Sequence, residues 1–279
     1  MQINYCCTHW GSEHLPPLEF LEKVQREGYS GIEINLSPEN LPDANFFARL
    51  QQLRTHNNFT FIAQLVLDPT DETPEQHTNR MKERLEFLMD FKPDFINAHT
   101  GRDFFCFVEN CRIIDEAENL SAKWSIPICH ETHRGRFSFH LATLLPYLEK
   151  FPSLQLTGDF SHWCTVSESM LQDQADKLER VIPHVSHIHA RIGSEQSAQV
   201  NHPFAPEWNT HLAVFLNWWK AIVAHRIEKG SRVLTITPEA GPTPYMPLEP
   251  FSLKPLSDQW EVNVSMKDYL GMELGSREG

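Results

Sequence analysis

Short apolar stretches recur along the chain at a spacing of roughly 30 residues, the length of one strand–helix unit. Eight of them can be read, at 3–8, 31–36, 59–66, 94–99, 126–131, 154–159, 185–190 and 233–239. Segments with helical spacing lie between them, such as 17–27, 73–90, 137–151 and 210–229. Gly28 and Gly230 stand where two of those helices would end. Eight strands alternating with helices in 279 residues predict an α/β fold, a (β/α)8 TIM barrel. The barrel is expected to occupy 1–279 as a single domain. Residues 252–279 form a C-terminal extension outside the eight units, its last residues mobile. An open doubly wound sheet is the alternative. Its glycine-rich phosphate turn is missing, because His9-Trp10-Gly11-Ser12-Glu13 follows the first strand.

Bulk composition narrows the function classes. Hydrophobic residues make up 41% of the chain, enough for a sizeable core without disulfide support. The six cysteines (Cys6, Cys7, Cys106, Cys111, Cys129 and Cys164) form no regular framework and no CxxC pair. Reduced thiols in a cytoplasmic protein are expected. The segment Met1 to Cys7 reads as a first strand rather than a signal peptide. No apolar run approaches the roughly 20 residues that span a bilayer. With 24 basic against 37 acidic residues the net charge is −13, which disfavours nucleic acid and anionic membranes as partners. A homo-oligomer is compatible with this composition.

Four carboxylate- and imidazole-rich segments close four apolar runs: Cys129-His130-Glu131-Thr132-His133, Gly158-Asp159-Phe160-Ser161-His162, His187-Ile188-His189-Ala190-Arg191 and Thr237-Pro238-Glu239-Ala240-Gly241. A charged or imidazole group buried at a strand end is costly unless something pairs with it. In a barrel the functional face is the C-terminal end of the strands. Glu131, Asp159, His189 and Glu239 all fall there, and a shared divalent cation is the simplest partner. Three carboxylates and one imidazole suit Mn²⁺, Mg²⁺ or Co²⁺, with Zn²⁺ also accommodated. His187 shares a face with His189 two residues on, and reads as a core or supporting histidine. Arg191 continues the same alternation and could reach an anionic or hydroxylated substrate, or form only a surface ion pair.

These motifs resemble those of the xylose-isomerase-like barrels, a family of sugar isomerases, sugar epimerases and relatives of endonuclease IV. The resemblance runs from Gly28-Tyr29-Ser30-Gly31-Ile32-Glu33 to Pro238-Glu239. It is carried by the Glu at strand five, DxxH at strand six, HxH at strand seven and Glu at strand eight. It implies Glu131, Asp159, His189 and Glu239 as ligands of one divalent metal ion, with His162 facing substrate oxygens. By resemblance to the ketose 3-epimerases, Glu131 and Glu239 also carry the acid–base work, unless a histidine such as His162 moves the proton.

Further residues border the expected mouth. His99 stands at the end of strand four, where the endonuclease-like branch can use a histidine for an additional metal and sugar-directed members more often place a group bordering the substrate, so it is a candidate substrate contact. His133 and Arg134 follow strand five and are candidate substrate contacts, whereas Arg136 reads as the start of a solvated helix. His130 alternates away from Glu131, toward the helices. Trp10, Trp163, Phe104 and Phe105 would wall a sugar pocket or simply pack loops. The long loop 193–208, with Asn201-His202-Pro203, could cover the site.

The leading expectation is a metal-dependent isomerase or epimerase acting on a small sugar or keto-polyol through an enediolate-type proton transfer. A dehydratase or lyase on a keto-inositol-like substrate is its neighbour. An endonuclease IV-like phosphodiesterase is the first rival. Against it stand Gln64 on strand three in place of a histidine, Asn201-His202 in place of an Asp-x-His pair, and the −13 charge. A barrel that binds sugar or metal without turnover is the second.

Overall fold

The computed structural model describes residues 1–275, and the expectation for the chain's last residues lies outside them. In chain order the elements are β1 (Gln2–Thr8), α1 (Pro17–Arg26), β2 (Gly31–Ile34), α2 (Ala44–Asn57), β3 (Thr60–Leu65) and α3 (Pro74–Met89). Then come β4 (Phe95–Ala98), α4 (Phe107–Trp124), β5 (Ile128–Glu131), α5 (Leu141–Lys150), β6 (Gln155–Gly158) and the short α6 (Ser161–Ser167). The chain continues through α7 (Ala175–Val181), β7 (Val185–Ala190), α8 (Asn209–Glu228), β8 (Val233–Pro238) and α9 (Gln259–Leu274). All eight strands pair in parallel and in order, and β8 closes onto β1 with Val233 opposite Gln2. The expected barrel is therefore present.

The strands' two-residue alternation decides which side chains meet. Ile32 and Ile34 on β2, Ile188 on β7, and Leu234 and Ile236 on β8 lie in apolar layers beneath the helices. Residues between them, Glu33, His187, His189, Thr235 and Thr237, turn inward and are buried as well. The outer layer is thus an ordinary hydrophobic core, while the barrel's centre is polar. Polar interiors hold only where partners are present, and this one supplies them from strand to strand.

Local chemistry fixes the helices. In α3, Thr73 and Gln76 form a reciprocal capping box with Pro74 at the first turn, and His77, Met81, Leu85 and Leu88 bury one face. Gly28 and Gly230, at φ +72° and +71°, follow the ends of α1 and α8 as the sequence indicates. No helix among the described residues is long and apolar enough to cross a membrane. The six cysteines are free.

Two expectations are corrected. The helix read at 137–151 begins only at Leu141, because the segment before it folds back over β5. There the Ser138 hydroxyl donates to the Glu131 carbonyl, and Phe137 N–H donates to Thr100 O at 3.4 Å. The segment set outside the eight units carries α9, which buries Val262, Met266 and Leu270 and supplies the helix that follows β8.

Candidate metal centre and substrate cavity

Each strand of the second half delivers one group to the C-terminal mouth: Glu131 ends β5, Asp159 follows β6, His189 lies near the end of β7, and Glu239 follows β8. All four are buried, and they offer ligand atoms that lie within 4.8 Å of one another. His189 Nδ1 is 2.8 Å from Glu239 Oε2 and 3.7 Å from Glu131 Oε2. Neither approach is aligned as a hydrogen bond, so Nδ1 is buried without a hydrogen-bond partner among the described residues. Its other nitrogen, Nε2, lies 3.0 and 3.1 Å from the two oxygens of Glu33. With Nε2–H donated to Glu33, Nδ1 faces the carboxylates, where it would carry a proton in the absence of an ion and would give its lone pair to an ion that displaced that proton.

The electrostatics favour a cation at this point. Burial alone would keep His189 neutral, but Glu239, Glu33 and Glu131 outweigh it and push its pKa well above the usual imidazole range. Glu131 would be raised by burial, yet His99 and His189 beside it hold it well below the usual carboxylate range. Burial keeps Glu239 above its ordinary value against the pull of His189 and Arg191. A buried set of one imidazole and three carboxylates, with the imidazole nitrogen orphaned, fits a hard or borderline divalent ion.

Glu33 is the residue the sequence reading passed over. It is buried at the centre of the barrel and accepts from His187 Nε2 at 3.2 Å, Thr237 Oγ1 at 2.7 Å and Asn97 Nδ2 at 2.9 Å, besides His189. Burial would raise its pKa, but His189 and His187 hold it far below the usual range. Asn97 also donates to Glu131 Oε2 at 2.8 Å and so ties the inner carboxylate to the outer one. His187 is bonded to Glu33 and to Thr235, and Glu33, His187 and His189 together form a further group of close potential ligands. The signal for Glu33 was a lone acid inside the apolar run Gly31-Ile32-Glu33-Ile34.

A cavity of about 770 Å³ opens over the cluster, lined in part by Glu131, Glu239, His99, His133, Trp10 and Arg191. Trp10 meets Tyr245 edge-on at 5.2 Å. The loop after β8 lies close against it, since a Cβ on Gly241 would stand 2.1 Å from the indole. Arg191 donates to Asp159, lies 3.6 Å from Glu239 Oε2 and sits 4.8 Å from the Tyr245 ring centre. It is buried and ion-paired rather than a surface residue. The rings of His99, His133 and His162 lie in a row, tilted by 31° and 53°, with centres 4.4 and 3.9 Å apart. Burial holds the pKa values of His133 and His162 well below the usual range, so both are neutral imidazoles near pH 7. His99 Nε2 lies 2.9 Å from Glu131 Oε2, and His99, Glu131 and His133 form a second group of close potential ligands.

Several expected contacts lie elsewhere. His162 is fully buried beside Asp159 and Arg191 and does not line the cavity, because α6 begins at Ser161 and carries the ring inward beneath His133. Arg134 is exposed at the rim, 5.2 Å from the Tyr245 ring centre. Trp163 faces the outer core instead of the pocket, stacked on Phe160 with its indole donating to Ser138 O at 2.8 Å. Phe104 is exposed and Phe105 packs against it, both away from the cavity wall. The loop 193–208 lines no part of the cavity and braces the β8 loop through Gln199 and the backbone of Gly241. His130 faces the helices, near Glu118 on α4 at 3.1 Å. Arg136 is not on a solvated helix but buried at the cavity wall.

No family model and no curated protein matches the chain. Solved structures do match it. A D-tagatose 3-epimerase-like protein is 15% identical with TM-score 0.64, covering 97% of each chain. Endonuclease IV from Thermus thermophilus is 12% identical with TM-score 0.60, covering 98% of this chain and 99% of that one. A xylose isomerase-like TIM barrel protein from Mycobacterium smegmatis, in complex with magnesium, is 10% identical with TM-score 0.62, covering 97% and 96%. At these identities the likeness is one of architecture: this chain shares the closed (β/α)8 TIM-barrel fold of those structures.

Proposed function

We propose that the protein is a metal-dependent isomerase or epimerase acting on a small polyhydroxylated carbonyl compound. The observation that carries this reading is the buried meeting of Glu131, Asp159, His189 and Glu239 within 4.8 Å, with His189 Nδ1 left unpartnered. The cavity above it, about 770 Å³, falls within the size range of small-molecule sites. A magnesium complex and a 3-epimerase-like protein among the structures of the same fold support the choice of chemistry.

Glu131, Asp159, His189 and Glu239 would hold a divalent ion, which when bound would supply Lewis-acid polarisation of a substrate carbonyl. The chain's own residues do the rest. Hydrogen bonds and close contacts to Glu131 and Glu239 engage Oε2 in each case, leaving Oε1 of both for a substrate proton. The two carboxylates arrive from β5 and β8, so one removes the proton from the carbon beside the carbonyl and the other returns one. His162, behind His133, is less well placed for that task. Arg191, fixed by Asp159, orients substrate oxygens, while Trp10, Pro244 and Tyr245 shield the reacting carbon from water.

Two measurements test the reading. Elemental analysis should find a bound divalent ion that Asp159→Asn weakens, since the change removes charge while keeping shape. Turnover of ketoses in D₂O should place deuterium on the carbon beside the carbonyl. A substrate deuterated there should react more slowly where internal proton return hides the label. If neither shows the C–H bond breaking, the reading is wrong; loss of water from the product would point instead to a dehydratase.

One observation favours a second reading, a two-metal phosphodiesterase: His99, Glu131 and His133 form a further candidate ligand set beside the first. Two ions per chain together with cleavage of a phosphodiester would establish it.

A further inference from the structure

Arg136 has no role in the reaction so far, yet its setting is unusual. The loop after β5 pins its backbone: Arg136 N–H donates to His133 O at 3.2 Å, and Arg136 O accepts from Phe139 N–H at 3.0 Å. Its side chain crosses to the loop after β3, where Nη2 donates to Leu67 O at 3.3 Å. It is 6% exposed and lines the same cavity as Glu131 and Glu239. Burial lowers its pKa to about 10, with Glu131 and Asp103 pulling the other way, so it remains charged at neutral pH.

Two arginines line this cavity, and only one is matched. Arg191 is paired with Asp159 and lies beside Glu239. Arg136 Nε and Nη1 are buried with no hydrogen-bond partner among the described residues. A buried guanidinium with idle donors is costly unless an acceptor arrives. Leu67 uses one of the two hydrogens on Nη2. Whichever it uses, either the Nε–Nη2 or the Nη1–Nη2 edge remains a complete two-donor fork. Such a fork matches the two oxygens of a carboxylate. A phosphate monoester is the other oxyanion with that spacing, but Glu13 and Asp68 also line the cavity and would oppose a dianion more than a monoanion.

We propose that the substrate of this site carries a carboxylate at the end remote from its reacting carbonyl, and that Arg136 reads it. This rests on the isomerase reading for the reacting end only. The substrate class is then a keto or aldehydo sugar acid rather than a neutral sugar, and Arg136 is its specificity-determining residue.

The test is calorimetric binding to the magnesium-saturated full chain with three matched probes: D-fructose, D-fructuronate and D-fructose 6-phosphate. The wild type should bind fructuronate about ten- to a hundredfold more tightly than fructose, as expected for a charge-assisted pair. Arg136→Met should abolish that preference, with fructose affinity and magnesium content changing far less than fructuronate affinity. Arg136→Lys should restore part of the preference, and it keeps the test alive if the Met variant folds poorly. Equal binding of fructuronate and fructose, no saturable binding of either, or a preference that survives in both variants would overturn the proposal. A stronger, Arg136-dependent preference for the phosphate would overturn the choice of carboxylate. Failure of deuterium exchange alongside intact Arg136-dependent binding would sink the reaction and spare this inference.

Discussion

The barrel has a cavity at each end, and the two differ in almost everything except size. The cavity at the N-terminal end of the strands is about 850 Å³, that at the C-terminal end about 770 Å³. At the N-terminal end the polar groups mostly satisfy one another. Gln2 donates to Asn4 and Asn4 to Thr60, while Asp94 accepts from Arg54 and from Phe61 N–H; only Arg226 Nε is left buried and idle among the described residues there. At the C-terminal end His9 Nε2, His99 Nδ1, His189 Nδ1 and two nitrogens of Arg136 lack hydrogen-bond partners. Cys129 borders the lower cavity and Glu131, two residues on, the upper one. Volume does not locate chemistry here. Buried groups without partners do, because they are costly unless a ligand completes them.

That contrast can be broken by substitution. The largest effect is expected for Glu239→Gln, which keeps shape and removes a proton carrier: turnover should fall by about 10²- to 10⁴-fold in steady-state assays. A variant with near wild-type turnover would remove Glu239 from the reaction. Glu33→Gln should act one step further in, loosening His189 and weakening metal affinity by about 10- to 100-fold on metal titration. Unchanged affinity would make Glu33 a packing residue. Smallest is Arg54→Ala at the other end, which removes a partly exposed pair with Asp94 at 3.0 Å. Denaturant unfolding should register at most about 1 kcal/mol, with metal content and turnover unaltered. If Arg54→Ala impairs either, the two ends are not independent.

The barrel was legible because each strand repeats the same alternation, and the four cluster residues because each closes an apolar run. Glu33 carries the same kind of signal, but it sits inside its strand rather than at the end where attention falls. Asn97 gives none at all, since a neutral amide in a strand is unremarked until Glu33 and Glu131 are seen on either side of it. Arg136 was misread for a different reason. Its direction is set by Thr100 and Leu67, distant in sequence, which hold the loop and the guanidinium. Trp163 shows the converse: an aromatic just past a strand end can be carried away from the mouth when a helix such as α6 starts at once. Strand periodicity fixes faces, whereas loop residues acquire theirs only from tertiary contacts.

Closure of β8 onto β1 has a consequence for how the protein is made. During synthesis the Gln2–Tyr5 edge, which pairs with Val233–Ile236, waits unpaired for more than two hundred residues of chain to emerge. Asp159, His189 and Glu239 all emerge after β5, and Glu239 comes after the closing strand. A nascent chain therefore cannot assemble the four-residue pocket early and use it as a nucleus. An ion held by all four residues could be captured only after ring closure, and the edge of the first strand stays open until then.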